Sequence, residues 1–348
     1  MVKTIFEICK PREDVLKGTS SESDFAADLS RVICAYKSGA YESENGTPPE
    51  YSDSRLFFET TYPTRGLRSL LENVCARLSG KWHFSSPIFR LGTSFGGGKT
   101  HGLIALVHAA RGMKNVDNPA EFLNPELIPQ RSVRIAVFDG ENADPANGRK
   151  MEEGLLAYTP WGEIAYALAG REGYERVRCS DKEGISPGAD TLRELFGGEP
   201  ALILLDELAV YLRKVKHKST ARDQFTAFLT GLFKAVECSP HVALVFTLAI
   251  GKDGKAIDAY AEENQFVAEK MAEIESISGR KATLLNPTEE DETLEVLRRR
   301  LFEHIDEDTA LENMNAYRDL WQQHQSKITL DRPLSACVDT FKKGFPLF

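Results

Sequence analysis

Two groups of residues in this chain have the types and spacing to do chemistry. The first is Gly92-Thr93-Ser94-Phe95-Gly96-Gly97-Gly98-Lys99-Thr100. Glycines let backbone N–H groups curl around an anion without side-chain clash. A helix starting there points the positive end of its dipole at the same anion. Lys99 supplies a cation to reach the outer phosphates of a nucleotide, and Thr100 a hydroxyl to ligate Mg²⁺. The second group is Asp206-Glu207, two carboxylates ending the apolar run Ala201-Leu202-Ile203-Leu204-Leu205. Asp206 suits a Mg²⁺ shell, and Glu207 suits polarising an attacking water. General-base help of that kind is worth roughly 10²–10⁴-fold in rate.

The glycine run departs from the P-loop pattern G-x-x-x-x-G-K-[ST] in one place. Counting back from Gly98, the leading glycine should stand at Thr93, and Gly92 is one position early. Either the loop carries an extra residue or Thr93 replaces the glycine. Gly96 and Gly97 add freedom, so the cradle is expected to survive. The plainer readings are a flexible glycine loop beside a chance Lys-Thr, and a core strand whose acids cap the helix Leu208 to Leu212.

The elements needed to hold both groups are present in the sequence. Pro87-Ile88-Phe89-Arg90-Leu91 is a short strand candidate ahead of the loop. Leu103, Leu106, Val107 and Ala110 follow at helical spacing, with Gly112 as a stop. The uninterrupted apolar run at 201–205 predicts a strand buried on both faces of a parallel sheet, whose C-terminal end lies near ligand. Further strands are expected at Val133 to Phe138, ending at Asp139-Gly140, at Val242 to Thr247, and at Ala282 to Leu285. The expected fold is α/β: a three-layer core with a mostly parallel sheet. An N-terminal helical lead-in spans 1–80, the core 81–286 with an insertion at about 140–198, and a partial helical lid 287–348.

Within the lead-in, residues 1–18 read as extended, and Ser21-Glu22-Ser23-Asp24 as a capped helix start. Phe25, Leu29, Val32, Ile33 and Tyr36 form that helix's apolar face. A loop is expected from Ser38 to Ser54 and a helix from about Thr64. The insertion holds a helix from Trp161 to Ala169 and a loop near Gly184 to Gly188. Another helix is expected from Arg222 to Val236. Arg213-Lys214-Val215-Lys216-His217-Lys218 is the strongest basic cluster, either a solvated loop or a contact to nucleic acid or an acidic partner. At the C-terminal end Thr288 should cap a helix that buries Leu294, Leu297, Leu301 and Ile305 and turns Arg298-Arg299-Arg300 mostly to water.

Composition sets limits. The 348 residues are 42% hydrophobic and 27% charged, ordinary for a globular chain, and the formal net charge is −9. An acidic chain does not advertise broad nucleic-acid affinity, which needs clustered Lys and Arg. The six cysteines are scattered without a C-x-x-C or a His/Cys cluster, so zinc is not indicated and reduced thiols fit. No signal pattern opens the chain, and no apolar stretch approaches the roughly 18 residues of a membrane span. A cytoplasmic protein with no membrane partner is expected.

The motifs together resemble those of an AAA+ type P-loop ATPase. The chain is similar, more narrowly, to large prokaryotic ATPases of anti-phage defence islands, found beside DNA methyltransferases and helicases. The residues that carry this are Phe57-Phe58-Glu59-Thr60-Thr61-Tyr62-Pro63-Thr64-Arg65-Gly66-Leu67, Arg90 to His101, Trp161-Gly162-Glu163-Ile164-Ala165 and Leu204-Leu205-Asp206-Glu207. The resemblance runs from Phe6 to the end, and the unusual loop spacing belongs to it. It implies ATP and Mg²⁺ as ligands. Gly96, Gly97, Gly98, Lys99, Thr100 and His101 would contact the nucleotide, with Thr100 and Asp206 on the metal and Glu207 and Lys99 catalytic. It also makes Thr247 a γ-phosphate sensor, although threonine is equally a good strand former. Tyr62 touches adenine on this reading, or is a half-buried turn tyrosine on the plainer one. Arg280 would reach a neighbouring subunit's γ-phosphate in a ring. Family members are longer, so the resemblance implies a truncated lid, a homo-oligomer in the full-length form, and DNA or DNA-modifying defence proteins as partners. The expected role is an ATP-hydrolysing motor or switch subunit. The alternative is a nucleotide-gated binding module, a fragment of a larger ATPase, with little or no hydrolysis.

Overall fold

A computed structural model describes residues 3–18, 28–38, 49–81, 87–92, 98–248, 260–278, 282–287, 290–324, 327, 335, 338 and 344–347. By internal contacts the chain divides into two units. One comprises Ala27–Glu59 and Pro63–Thr288, the other Met1–Ala26, Thr60–Tyr62 and Glu289–Phe348.

The larger unit is built on a five-stranded parallel sheet. In chain order its principal elements are α1 (Leu29–Ser38), α2 (Arg65–Leu78), β1 (Ile88–Gly92), α3 (Lys99–Ala110), β2 (Arg134–Asp139), α4 (Pro160–Glu183) and α5 (Ala189–Phe196). Next come β3 (Ala201–Asp206), α6 (Leu208–Lys214), α7 (Ala221–Glu237), β4 (Val242–Leu248), α8 (Ala261–Ser278) and β5 (Thr283–Leu285). The sheet order is β2-β3-β4-β1-β5, all neighbours parallel. Every residue of β3 and β4 is buried, which is why both read as unbroken apolar runs.

Helices cover both faces. On one, Phe89, Leu91, Leu202, Leu204, Ala243 and Val245 pack with Leu70, Leu71 and Val74 of α2 and with α3. On the other, Ile88, Ile203, Leu205, Leu244 and Phe246 pack with Trp161 and Ile164 of α4, with α5 and with Phe225, Phe228 and Leu232 of α7. The α/β three-layer core is therefore present.

Residues 140–198, set apart as an insertion by sequence, include α4 and α5, whose apolar faces belong to the main core. The helix expected to end at Ala169 continues to Glu183. It kinks at Ala169 and Gly170, where Gly170 takes φ 59 and the helix resumes. Its start is stapled by Asp181, whose carboxylate accepts from the Tyr158 and Thr159 amides, the Thr159 hydroxyl at 2.5 Å and the Tyr174 hydroxyl at 3.0 Å. Gly162 sits so close that a Cβ there would meet Asp181 Oδ1 at 2.2 Å.

Helix α3 is buried on all sides from Gly102 to Ala110, and one of its residues is His108. His108 Nε2 lies 3.1 Å from the Tyr51 carbonyl, and Nδ1 meets the Tyr36 hydroxyl. A carbonyl only accepts, so Nε2 carries the proton and Nδ1 accepts from Tyr36. Burial pushes this imidazole down to about 3, so it is neutral at any ordinary pH. The pair ties α1 and Tyr51 to the helix that follows the glycine run.

In the smaller unit Cys9–Pro11 pairs antiparallel with Phe302–Ile305. This overturns the expected helix through Ile305: the helix Thr293–Leu301 stops because the next four residues enter this ladder. Leu297, expected in the buried face, is 41% exposed. The three arginines do not mostly face water either. Arg298 Nε donates to the Phe345 carbonyl at 2.6 Å, and Arg300 pairs with Asp14 at 3.4 Å. Among the described residues no helix is long and apolar enough to cross a membrane.

Candidate functional site

Parallel register brings the chemistry-bearing residues to one edge of the sheet. Leu91 aligns with Thr247, Gly92 with Leu248, Leu205 with Phe246, and Asp139 with Asp206. The C-terminal ends of β1, β2, β3 and β4 therefore lie side by side, the edge of an open α/β sheet that takes ligands.

Gly98 is the residue before α3 and has φ +72, a left-handed conformation that favours glycine. It is followed at once by Lys99 and Thr100 in the first turn of a 12-residue helix. The four leading N–H groups of a helix have no partner inside it and carry partial positive charge. Thr100 Oγ1 donates to Asp206 Oδ2 at 3.0 Å, and Thr247 Oγ1 donates to Asp206 Oδ1 at 2.5 Å. The Glu207 amide donates to Asp206 Oδ1 at 3.1 Å. One buried carboxylate is thus gripped by hydroxyls from α3 and β4 and by its own following amide. Burial raises the Asp206 carboxyl above its ordinary value, opposed first by the Thr247 hydrogen bond.

Glu207 adopts φ 50, ψ 41, left-handed for a non-glycine residue, and heads α6. Such strain costs of order 1–3 kcal/mol and gathers at functional positions. Its carboxyl is pushed up to about 7, by burial first and then by the Asp206 carboxylate, while Lys99 pulls it back down. A base poised near neutral pH is what proton abstraction from water requires. Gly140 makes room for this turn: a Cβ there would meet the Glu207 carbonyl oxygen at 2.0 Å.

Asp139 was marked in the sequence only as a strand end, yet it is a third carboxylate beside the pair. It is 6% exposed and accepts from Ser30 Oγ at 3.0 Å, the Glu141 amide at 2.9 Å and Asn142 Nδ2 at 2.7 Å. The sequence signal for it is an acid at the C-terminal end of a predicted strand. Thr64 and Gly66 carry another such feature. Thr64 caps α2 by accepting from the Leu67 amide at 3.1 Å, and its hydroxyl donates to the Pro287 carbonyl. A Cβ at Gly66 would meet the Asn286 carbonyl at 1.7 Å, so only glycine lets α2 approach the chain after β5.

The remaining candidates divide. His101 lies in the first turn of α3, its ring stacked on Phe57 at 4.5 Å and edge-on to Tyr51 at 6.1 Å. Tyr62 is half-buried. Gly96, Gly97 and Arg280 lie outside the described residues, as do the helix start at 21–24 and the Thr288 cap. Of the basic run, Arg213 and Lys214 are helical, 215–218 form a turn and every residue but Val215 is exposed, as the solvated reading expects, with several of its charges engaged. Arg213 and Lys214 end α6, and Arg213 pairs at 2.6 Å with Glu263, whose side chain is fully buried. Lys214 donates to the Glu141 and Ala143 carbonyls, Lys216 pairs with Glu262 at 3.2 Å, and Lys218 donates to the Pro145 carbonyl.

The residues present fit a magnesium ion shared with phosphate. Mg²⁺ takes oxygen ligands, keeps several waters and is bound through one or two carboxylates plus substrate phosphates. The Thr100 hydroxyl and Asp206 carboxylate are already 3.0 Å apart beside the helix start. Among the described residues no group of three His, Cys, Asp or Glu side chains is arranged to hold a metal.

The family model for the DUF499 N-terminal domain matches residues 6–282. No curated protein and no solved structure matches the chain.

Proposed function

The chain belongs to the DUF499 N-terminal domain family, and from that premise and the site's geometry we propose that it binds ATP with Mg²⁺ and hydrolyses it. The observation that carries the reading is the bridge Thr100–Asp206–Thr247 at the C-terminal edge of the sheet, with Glu207 next in the chain. Lys99, at the start of α3, holds the outer phosphates by charge and hydrogen bonding, and the positive end of the helix dipole favours the same anion. The Thr100 hydroxyl and Asp206 carboxylate would hold the metal, which when bound would neutralise charge on the phosphates. Glu207, with its raised carboxyl, takes the proton of the attacking water. Thr247 fixes the rotamer of Asp206 from the strand between the two motif strands, a placement suited to sensing the outer phosphate.

The wider reading rests on the resemblance of the motifs. It makes the chain the ATPase portion of an AAA+ type motor or switch in a prokaryotic defence system, with DNA or DNA-modifying proteins as partners and ATP rather than GTP as ligand.

The test is nucleotide binding by calorimetry together with phosphate release, for the native chain, Lys99→Ala and Glu207→Gln. Lys99→Ala is expected to lose binding; Glu207→Gln is expected to bind ATP and release no phosphate. Native-like release from the Glu207 variant would remove its role as base. Binding without release in the native chain would make this a nucleotide-gated module.

A further inference from the structure

A cavity of about 200 Å³ lies on the sheet's β2 edge, and Ser30, which lines it, also donates to Asp139. Strand β2 is an edge strand, and Ile135 and Val137 on its inner face are only partly covered. With Ile33 of α1 and Tyr166 of α4 they form an apolar wall. Opposite polarity comes from Arg149, Lys150, Glu152, Glu163 and Ser30, which also line the space. Arg149 Nη1 donates to Glu163 Oε2 at 2.8 Å, and Arg149 Nη2 is 3.4 Å from Ser30 Oγ.

The two charges are not equally open to an occupant. Glu163 keeps 5% of its side chain exposed and Arg149 26%. Of this pair the guanidinium is therefore the charge a guest meets, with exposed Lys150 and Glu152 also lining the space, and its planar fork of five N–H donors has capacity beyond the two contacts it makes. Burial pushes the Glu163 carboxyl up to about 7, so near neutral pH Arg149 is only partly compensated. Size narrows the guest further. Drug-sized ligands occupy clefts of about 300–1,000 Å³. A space of about 200 Å³ is too small for a nucleotide and suits a small organic acid.

We propose that this cavity is a binding site for a small organic monocarboxylate, its carboxylate on Arg149 and its apolar body against Ile33, Ile135, Val137 and Tyr166. The site is separate from the nucleotide reading and does not depend on it. Charge-assisted, bidentate pairing of guanidinium with carboxylate supplies orientation, and the apolar wall supplies area.

Calorimetric titration of the full chain with benzoate, and with benzamide as its uncharged isostere, tests this without any nucleotide. Benzoate is expected to bind saturably and benzamide about tenfold more weakly, the loss of roughly one charge-assisted contact. Arg149→Gln should weaken benzoate by about tenfold or more. Glu163→Gln, which removes the competing carboxylate, should tighten it, an effect that a purely structural ion pair would not produce. Ala167→Leu, which fills the cavity from a helix that tolerates leucine, should abolish binding and keeps the test open if Arg149→Gln fails to fold. Absence of saturable benzoate binding, equal binding of benzamide, or unchanged binding in Ala167→Leu would each overturn the proposal.

Discussion

The Thr247 hydroxyl donates to Asp206 Oδ1 at 2.5 Å, linking the adjacent strands β4 and β3 at their C-terminal ends. Both side chains are buried, so the bond is not exchanged for water. Thr247→Val keeps the shape of the side chain and deletes the donor. A buried acceptor left short of a partner costs about 1–3 kcal/mol. The variant should unfold at lower urea concentration, and on the proposed ATPase reading its phosphate release should fall further than its nucleotide affinity. Thr247→Ser, which restores the hydroxyl, should recover both. A Thr247→Val chain with native stability would show that the bond contributes nothing.

Gly140 is the second position where a small change should have a large effect. A methyl group there would lie 2.0 Å from the Glu207 carbonyl oxygen and 3.1 Å from Tyr211 Cβ. Backbone on one side cannot rotate away as a side-chain tip can. Gly140→Ala is expected to destabilise the chain by roughly 1–3 kcal/mol, the usual cost of overpacking, and to shift Glu207. Equilibrium denaturation gives the first quantity. Unaltered stability would mean that the turn has slack.

Stability should depend on pH through Glu163. Its folded carboxyl is raised from 4.5 to about 7, chiefly by burial, with Arg149 opposing. A raised acid binds its proton more tightly folded than unfolded. The folded state is thus favoured below about pH 4.5, and that advantage is lost as pH rises through about 7. The span is on the order of 3 kcal/mol. Glu207 is raised in the same direction, so the informative comparison is the native chain against Glu163→Gln. Thermal melts from pH 5 to pH 8 should show a shallower decline in the variant; parallel curves would exclude Glu163 as the source.

Asp181 accepts from two amides and two hydroxyls at the start of α4. The Tyr158 amide lies 3.1 Å from both oxygens, so the Nδ2 of Asp181→Asn would meet an N–H whichever way it turns, whereas the Tyr174 hydroxyl can accept by donating to the Leu156 carbonyl. The expected loss is about 1–3 kcal/mol, read by urea denaturation. Because Tyr174 and Thr159 belong to the same network, Tyr174→Phe in the Asp181→Asn background should cost less than in the native chain. Additive losses would show that the four bonds act separately.

How much of this was readable beforehand varies with the physics involved. Strands β3 and β4 announce themselves because burial on both faces demands unbroken apolar residues, and at their C-terminal ends the Thr247 hydroxyl then reaches Asp206. Asp139 was passed over because its significance comes from lying next to Asp206 across a strand pair, 67 positions apart in the chain, and no local pattern encodes that. The helix 160–183 was read short because Gly170 looks like a stop, whereas here it only kinks the helix. Phe302–Ile305 was read as helix because Leu297, Leu301 and Ile305 keep helical spacing; their ladder partner, Cys9–Pro11, lies almost 300 residues away. The basic run was legible in composition but not in its partners, since Glu262 and Glu263 come from α8.

The sheet order also bears on how the chain is made. Strand β1 pairs with β4 and β5, which follow it by some 150 and 190 residues, whereas β2 finds β3 much sooner. On the ribosome, at roughly 5–20 residues per second, β1 must wait on the order of ten seconds with both edges open. During that interval Ile88, Phe89 and Leu91 offer an apolar, unpaired template to any neighbouring nascent chain. Production of this protein should therefore be limited by aggregation during synthesis, and slower translation after β1 would lengthen the hazard.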